Sequence, residues 1–296
     1  MGNSLKKKRI CIFSHYFSGN YIPYYVLVYL NELKNYFDEI LVVTNTRNPE
    51  NIAQIENPPF SVLFVNNEGY DFGMFYKAFR RINHSDYEQI AFINDSNVVF
   101  GSLRFLLEWG NKQPVDFWGL VDSYQKPGYS THTDNYHIQS HFIVLNKKAI
   151  GLLPVYMEQV NFEELTIISD ISFLKKKVIN DWEVGFTQFL LKNKLTCKTY
   201  IDSKKYSELY KNGLPVNVTT KLYCHTIADG VPVIKKRVIT STDLRHMLKI
   251  RGNWRRLIKR HGEESFGIDK LIKELQTIRR NEIKARISKL FKRKRK

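Results

Sequence analysis

Several short polar clusters follow apolar runs in this chain, and their residue types limit the chemistry they could perform. The run Ile90-Ala91-Phe92-Ile93 ends in Asn94-Asp95-Ser96, so a hydrophobic strand delivers a carboxylate at its carboxyl end. A hard divalent cation such as Mg²⁺ or Mn²⁺ binds oxygen ligands and offsets the charge of a departing diphosphate. Asp95 is therefore a candidate metal or ribose contact, flanked by Asn94 and Ser96. The same three residues equally suit a plain turn that caps the next helix.

The loop Asn67-Glu68-Gly69-Tyr70-Asp71-Phe72-Gly73 places two glycines around an acid just before a helix. Glycine lets backbone approach a ligand closely, and a helix N-terminus favours phosphate, so Asn67, Asp71 and Gly73 are candidate ligand contacts. A structural loop with Asp71 near the N-cap is the other reading. Ser14 and His15 follow the first strand and join this group. Asp181-Trp182-Glu183-Val184-Gly185 offers Glu183 as a base able to deprotonate a hydroxyl, with Trp182 beside it as a pocket wall. A surface carboxylate at a helix start would look the same. His137, Gln139 and His141 alternate along one expected strand, which puts them on one face, either lining a pocket or packed in the core. Lys235-Lys236-Arg237 follows the turn Gly230-Val231-Pro232, with His225 shortly before. Lys235 and Arg237 suit a diphosphate, His225 is a second candidate metal contact beside Asp95, and a solvated basic edge is the alternative.

The elements that must position these residues alternate. Arg9 to His15, Glu39 to Thr44, Ser61 to Val65 and Gln89 to Ile93 read as short buried strands. Ile22 to Phe37, Phe72 to Ile82 and Ser102 to Trp109 read as helices. This pattern predicts an α/β fold with a mostly parallel sheet and helices on both faces, whose ligand site lies at the carboxyl ends of the strands. Tyr136 to Leu145 is expected as one strand, Ile168 to Lys192 as one or two helices interrupted near Asn180-Asp181-Trp182, and Cys197 to Ile201 as a last strand. Beyond Thr240 the apolar positions Ile268, Leu271, Ile272, Leu275 and Ile278, then Ile283, Ile287, Leu290 and Phe291, recur at helical spacing between basic residues. The expected organisation is a domain over residues 1–240 and a basic amphipathic helical extension over 241–296.

The net charge of +17 on 296 residues calls for an anionic partner, and it is concentrated after Lys235, ending in Lys292-Arg293-Lys294-Arg295-Lys296. A helix apolar on one stripe and cationic elsewhere suits the surface of an anionic membrane, although docking on a protein or RNA leaves the same signature. Cys11, Cys197 and Cys224 show no zinc or disulfide spacing, which fits a reducing compartment. The apolar stretch after Lys6-Lys7-Lys8-Arg9 is too short and polar for a signal peptide, and no window reaches the roughly twenty apolar residues of a membrane span. The expected location is cytoplasmic, peripheral on the inner face of the membrane.

Five segments in order carry a resemblance to a known family. They are Asn67 to Gly73, Phe92 to Ser96, Trp118-Gly119-Leu120-Val121-Asp122-Ser123, His137 to Phe142, and Gly230 to Lys236. From about Arg9 to Thr240 the chain resembles the rhamnan synthesis protein F family of polysaccharide assembly. The resemblance implies a GT-A-like core that transfers a sugar, often rhamnose, from a nucleotide donor to a growing or lipid-linked glycan. It further implies that Asn67, Asp71 and Gly73 lie beside the donor and that Asp95 stands where the metal-binding acid usually does. Asp122 and His141 would line the sugar pocket, with Glu183 as the base. Asn94-Asp95-Ser96-Asn97 lacks the Asp-x-Asp of many metal-dependent relatives, so basic side chains such as Lys235 or Arg237 are the alternative counter-charge. A noncatalytic nucleotide- or glycan-binding scaffold is the rival expectation. Nucleic acid ranks last, because neither an aromatic RNA-binding motif nor a helix-turn-helix accompanies the charge.

Overall fold

A computed structural model describes residues 8–17, 19, 21–47, 59–241 and 253–293. The expected helical segment 243–252 and the terminal Lys294, Arg295 and Lys296 lie outside the described residues, as do Lys6 and Lys7. The chain divides into two compact units. One comprises Met1–Ile22, Leu30–Asp95 and Arg104–Asn217; the other comprises Pro23–Tyr29, Ser96–Leu103 and Val218–Lys296. The boundary expected at residue 240 falls inside the second unit. Helix α1 (Tyr24–Leu33) contributes to both.

The first unit is built on β1 (Lys8–His15), β2 (Glu39–Thr44), β3 (Ser61–Phe64), β4 (Tyr87–Asn94), β6 (Phe117–Ser123), β7 (His137–Ile138), β8 (Phe142–Asn146) and β9 (Cys197–Ile201). Strand β5 (Asn97–Val99) belongs to the second unit. The sheet order is β3-β2-β1-β4-β8-β6-β7, with β9 also paired to β6. Strands β3, β2, β1 and β4 run parallel, β9 is parallel to β6, and β8 is the antiparallel insert between β4 and β6. Parallel strands joined by helices need both sheet faces covered, and β1 is buried at every position from Cys11 to His15. The covering helices include α2 (Tyr70–Phe79), α3 (Arg104–Lys112), α4 (Lys147–Gln159), α5 (Phe162–Ile167), α6 (Ile171–Val178), α7 (Gly185–Lys192) and α8 (Ser203–Lys211). The unit is thus the mostly parallel α/β sheet with covering helices that the alternation of strands and helices predicts.

Two sequence expectations are corrected. Tyr136 to Leu145 is not one strand. The chain turns at Ser140–His141, leaving β7 against β6 and β8 against β4 and β6, so His137, Gln139 and His141 do not share a strand face. Trp182 is not a pocket wall but a core side chain, 2% exposed, with its ring 4.5 Å from Phe72 and 4.6 Å from Phe186. The interruption expected near Asn180 exists as a π-helical turn, Ile179–Val184, between α6 and α7.

In the second unit β5 pairs antiparallel with β10 (Val233–Lys235), beside α9 (Val218–Lys221), α10 (Tyr223–Ala228) and α11 (Lys236–Thr240). Two further helices follow, α12 (Asn253–His261) and α13 (Ile268–Arg293). The first part of the apolar stripe of α13 is buried, and the side chains of Ile287, Leu290 and Phe291 lie outside the described residues. Leu271, Ile272, Leu275 and Ile278 are buried, as are Trp254 and Ile258 of α12. The stripe expected to face a membrane therefore packs within its own unit over this stretch. Among the described residues no helix is long and apolar enough to cross a membrane.

Glu274 explains why α13 is locked in place. Its two carboxylate oxygens accept the Tyr24 and Tyr25 N–H groups at 2.6 and 2.9 Å, filling two of the unpaired donors of the first turn of α1. Lys270, one turn earlier, lies 4.1 Å from the Tyr24 ring centroid. Glu274→Ala strands both donors and should cost about 0.5–2 kcal/mol, in the range of a lost helix cap. Thermal unfolding should show the fall, and Glu274→Gln, which retains an acceptor, should lose less.

Candidate functional site

Strands β1 and β4 are in parallel register with Ser14 opposite Asn94, so both side chains emerge at the carboxyl end of the sheet. The chain enters α2 through Gly69 and Tyr70, both with positive φ (74° and 55°), which swings Asp71 toward these strand ends. A non-glycine residue such as Tyr70 in this region is uncommon and costly, and such outliers concentrate at functional sites. The Asp71 carboxylate accepts from Ser14 Oγ at 2.6 Å on one oxygen and from Asn94 Nδ2 at 2.7 Å on the other. The backbone completes the cluster, because Asp95 N donates to the Ser14 carbonyl and Asn94 N to that of His141. Ser14, Asp71, Asn94, Asp95 and His141 are therefore brought together. His15 lies next along β1, its Nδ1 3.1 Å from Thr44 Oγ1.

Asn67 is half-buried in the loop before α2. Gly73 serves that loop directly. A Cβ there would collide with the Glu68 carbonyl oxygen, so the close approach the glycine permits is to the protein's own backbone.

A second cluster sits where β6 and β7 meet. Asp122 pairs with Ile138, and its Oδ1 accepts the Ser203 N–H at 2.7 Å at the start of α8. Burial pushes the Asp122 carboxyl above its ordinary value; the Ser203 N–H opposes this and the charge of Asp202 adds to it. His137 Nδ1 lies 2.7 Å from the Asn135 carbonyl, and Gln139 Oε1 accepts from Asn217 Nδ2 at 3.5 Å.

The Ser140–His141 turn joins the clusters to Glu183. Its His141 carbonyl holds the end of β4, while Ser140 Oγ donates to Glu183 Oε1 at 2.6 Å. Glu183 stands on the π-helical turn, a local departure that frequently marks functional sites. The turn's carbonyls are satisfied from outside the helix. His132 Nε2 lies 3.1 Å from the Asn180 carbonyl, and the Tyr156 hydroxyl donates to that of Asp181. Only a glycine fits easily at 185, because a Cβ would lie 3.0 Å from the Asn180 carbonyl and 3.1 Å from the Tyr156 hydroxyl. A cavity of about 450 Å³ adjoins this turn, lined by His132, Lys177, Asp181 and Phe189 among others, and includes neither Glu183 nor Asp95.

The remaining candidates belong to the second unit. Lys235 Nζ donates to Ser96 Oγ at 3.1 Å, and the Lys236 N–H donates to the Ser96 carbonyl at 2.8 Å. Arg237 is exposed on α11 and His225 is half-buried on α10. Ser96 and Lys235 are brought together. Among the described residues no three His, Cys, Asp or Glu side chains gather as a metal cage. Mg²⁺ commonly takes one or two protein carboxylates and completes its shell with water and phosphate, so a single Asp95 beside a diphosphate fits that donor set.

Sequence reasoning missed Ser140, His132 and Tyr156, which hold Glu183 and its turn. Ser140 was visible only as one member of the His137–His141 run, and nothing local tied His132 or Tyr156 to residues nearly fifty and twenty-five positions away.

The family description rhamnan synthesis protein F matches residues 40–253 of the chain. No curated protein matches it. Among solved structures, 4-diphosphocytidyl-2C-methyl-D-erythritol synthase from Anaerococcus prevotii is 13% identical with a TM-score of 0.42, over 68% of this chain and 90% of that one. The glycosyltransferase GlyE of Streptococcus pneumoniae is 9% identical with a TM-score of 0.41, over 86% of this chain and 63% of that one. At such scores neither likeness bears an argument about fold or function.

The Asp122 environment gives a signed expectation. Its folded-state pKa lies above the unfolded one, so the ionised carboxylate costs stability at neutral pH, and the cost vanishes as pH falls below both values. Asp122→Asn keeps an oxygen for the Ser203 N–H and should raise Tm at pH 7. Unfolding followed across pH should show the gain shrinking to nothing below about pH 3.9, the ordinary Asp value.

Proposed function

Because the chain belongs to the rhamnan synthesis protein F family, we propose that it is a nucleotide-sugar-dependent glycosyltransferase of cell-surface polysaccharide assembly. The observation that carries this reading is the gathering of Ser14, Asp71, Asn94 and Asp95 at the strand ends, linked through the Ser140–His141 turn to Glu183. Open parallel sheets bind ligands at this edge. The donor is a nucleotide sugar, with rhamnose or another deoxysugar as the transferred group, and the acceptor is a lipid-linked or growing glycan.

In the proposed reaction Asn67, Asp71 and the strand-end residues Ser14, His15 and Asn94 bind the donor nucleotide. With both oxygens already hydrogen-bonded, Asp71 has one fixed orientation and presents its remaining acceptor capacity without reorganising. Asp95 would hold a divalent cation, which would supply charge neutralisation at the diphosphate; His225, the other metal candidate of the sequence, belongs to the second unit. Within the second unit Ser96, Lys235 and Arg237 are the hydrogen-bonding and cationic groups suited to phosphate.

Glu183 is the proposed base. It takes the proton of an acceptor hydroxyl as that oxygen attacks the anomeric carbon, and the bond from that carbon to the diphosphate oxygen breaks. Ser140 holds one Glu183 oxygen, leaving the other for the acceptor proton. Asp122, His137, Gln139 and His141 line the sugar pocket in this reading, while Trp182 acts from the core by fixing the π-helical turn. The setting is the cytoplasmic side of the membrane, where the basic face of α13 and the residues beyond it meet anionic lipid.

Glu183→Gln should lower transfer by about 10²–10⁴-fold, the usual contribution of a placed base, while donor-induced thermal stabilisation persists. Ser140→Ala should lower kcat more modestly with KM for the donor unchanged. Full transfer by Glu183→Gln, measured as release of nucleoside diphosphate coupled to glycan extension, would remove Glu183 from the mechanism.

A further inference from the structure

With Leu271, Ile272, Leu275 and Ile278 of α13 buried, an enzyme working on a lipid-borne acceptor would use another apolar contact with the bilayer. The first unit supplies one. Ile167 at the end of α5 is 80% exposed, and Ile171 and Phe173 in the first turn of α6 are 72% and 55% exposed. Single exposed apolar residues need no explanation, but three large ones within seven positions are a concentration that water disfavours.

The segment is held, not frayed. Asp170 Oδ1 accepts the Ser172 and Phe173 N–H groups at 2.8 and 3.2 Å, a built N-cap that fixes the start of α6. Leu174 packs against the core and Val178 is 7% exposed, so the inner stripe of α6 is anchored at 174 and 178. Ile171 is followed one turn later by Lys175, and Phe173 by Lys176, on two flanks of the helix, with all four side chains exposed. Lys176 Nζ lies 5.9 Å from the ring centroid of Tyr129, itself 37% exposed, an aromatic of the kind favoured at membrane interfaces. Of the nearby acids, Asp170 is engaged in the cap and Glu164 lies 3.9 Å from Lys177, and both Glu163 and Glu164 are exposed on α5.

We infer that the α5–α6 hairpin is a bilayer-docking element, in which Ile167, Ile171 and Phe173 enter the acyl boundary of an anionic membrane while Lys175 and Lys176 meet lipid phosphates. An apolar tip followed by a cationic girdle is the arrangement such an interface requires. The inference rests on the proposed membrane setting and is independent of the transfer chemistry. Loss of transferase activity with vesicle binding intact would sink the catalytic reading and leave this one standing.

The test is co-sedimentation of the full chain with vesicles of phosphatidylglycerol and phosphatidylethanolamine, compared with phosphatidylcholine alone. Wild type should partition onto the anionic vesicles. The triple variant Ile167→Ser, Ile171→Ser, Phe173→Ser should lose binding at least tenfold with unchanged circular dichroism and Tm, although every basic C-terminal residue is retained. Lys175→Glu with Lys176→Glu should also weaken binding and flatten its salt dependence. Phe105→Ser, removing a side chain that is 77% exposed on α3, is the control and should bind as wild type. Equal binding by the triple variant, or no binding by wild type, overturns the inference. So does a triple variant that changes only the oligomeric state in sedimentation velocity, which would assign these side chains to a second copy of the chain.

Discussion

The Asp71 carboxylate, gripped by Ser14 on one oxygen and Asn94 on the other, is the constraint on which the candidate site depends. Each part of the grip has its own structural requirement. Ser14 and Asn94 meet only because β1 and β4 are parallel and in that register, and a slip of one residue would turn one side chain to the opposite face. Asp71 reaches them only because Gly69 and Tyr70 adopt left-handed conformations and because Gly73 lets the first turn of α2 close on Glu68. A helix N-terminus also favours the negative charge placed there.

Glu183 depends on a different device. A π-helical turn spends hydrogen-bonding regularity to aim one side chain, and the freed carbonyls must find partners elsewhere. His132 and Tyr156 supply them, Gly185 gives them room, and the Trp182 ring anchors the turn on Phe72, the residue after Asp71. Asp71 and the proposed base are thereby tied through one aromatic core as well as through the Ser140–His141 turn. Asp122 shows the matching thermodynamic cost, a buried carboxyl whose ionisation the fold resists, which is the kind of perturbation that gathers at functional sites.

Much of this was legible in the sequence where the signal is local. Glu39–Thr44 and Cys197–Ile201 have the β-branched or aromatic content and polar boundaries of short strands, and their limits match the reading. The ordered clusters at Ser14, Asp71 and Asn94 could be placed at strand ends because alternation of strands and helices implies where such ends lie. What failed depended on contacts distant in sequence. The apolar run of β6 was read only as a motif, with Gly119 interrupting its pattern, although its small size lets Ile138 lie against it. The break at Ser140–His141 follows from β8 inserting antiparallel between β4 and β6, which no local period announces. Trp182 looked like a pocket residue beside an acid, but on a π-helical turn neighbouring side chains diverge, and the ring goes to the core. The stripe of α13 was read correctly as apolar, but the Glu274 contact that fixes the helix could not be read, because its partner Tyr24 lies 250 residues away.

The most direct measurement is thermal unfolding of the full chain across a panel of nucleotide sugars, each with and without Mg²⁺ or Mn²⁺. Ligand that binds the native state raises the apparent Tm by an amount that grows with the logarithm of ligand concentration over Kd. The account predicts a selective rise with one nucleotide-sugar class, enhanced by a divalent cation if Asp95 shares it with the diphosphate, and lost in Asp71→Ala. A flat panel from well-folded protein, unchanged when glycan acceptor is added, would contradict the transferase account.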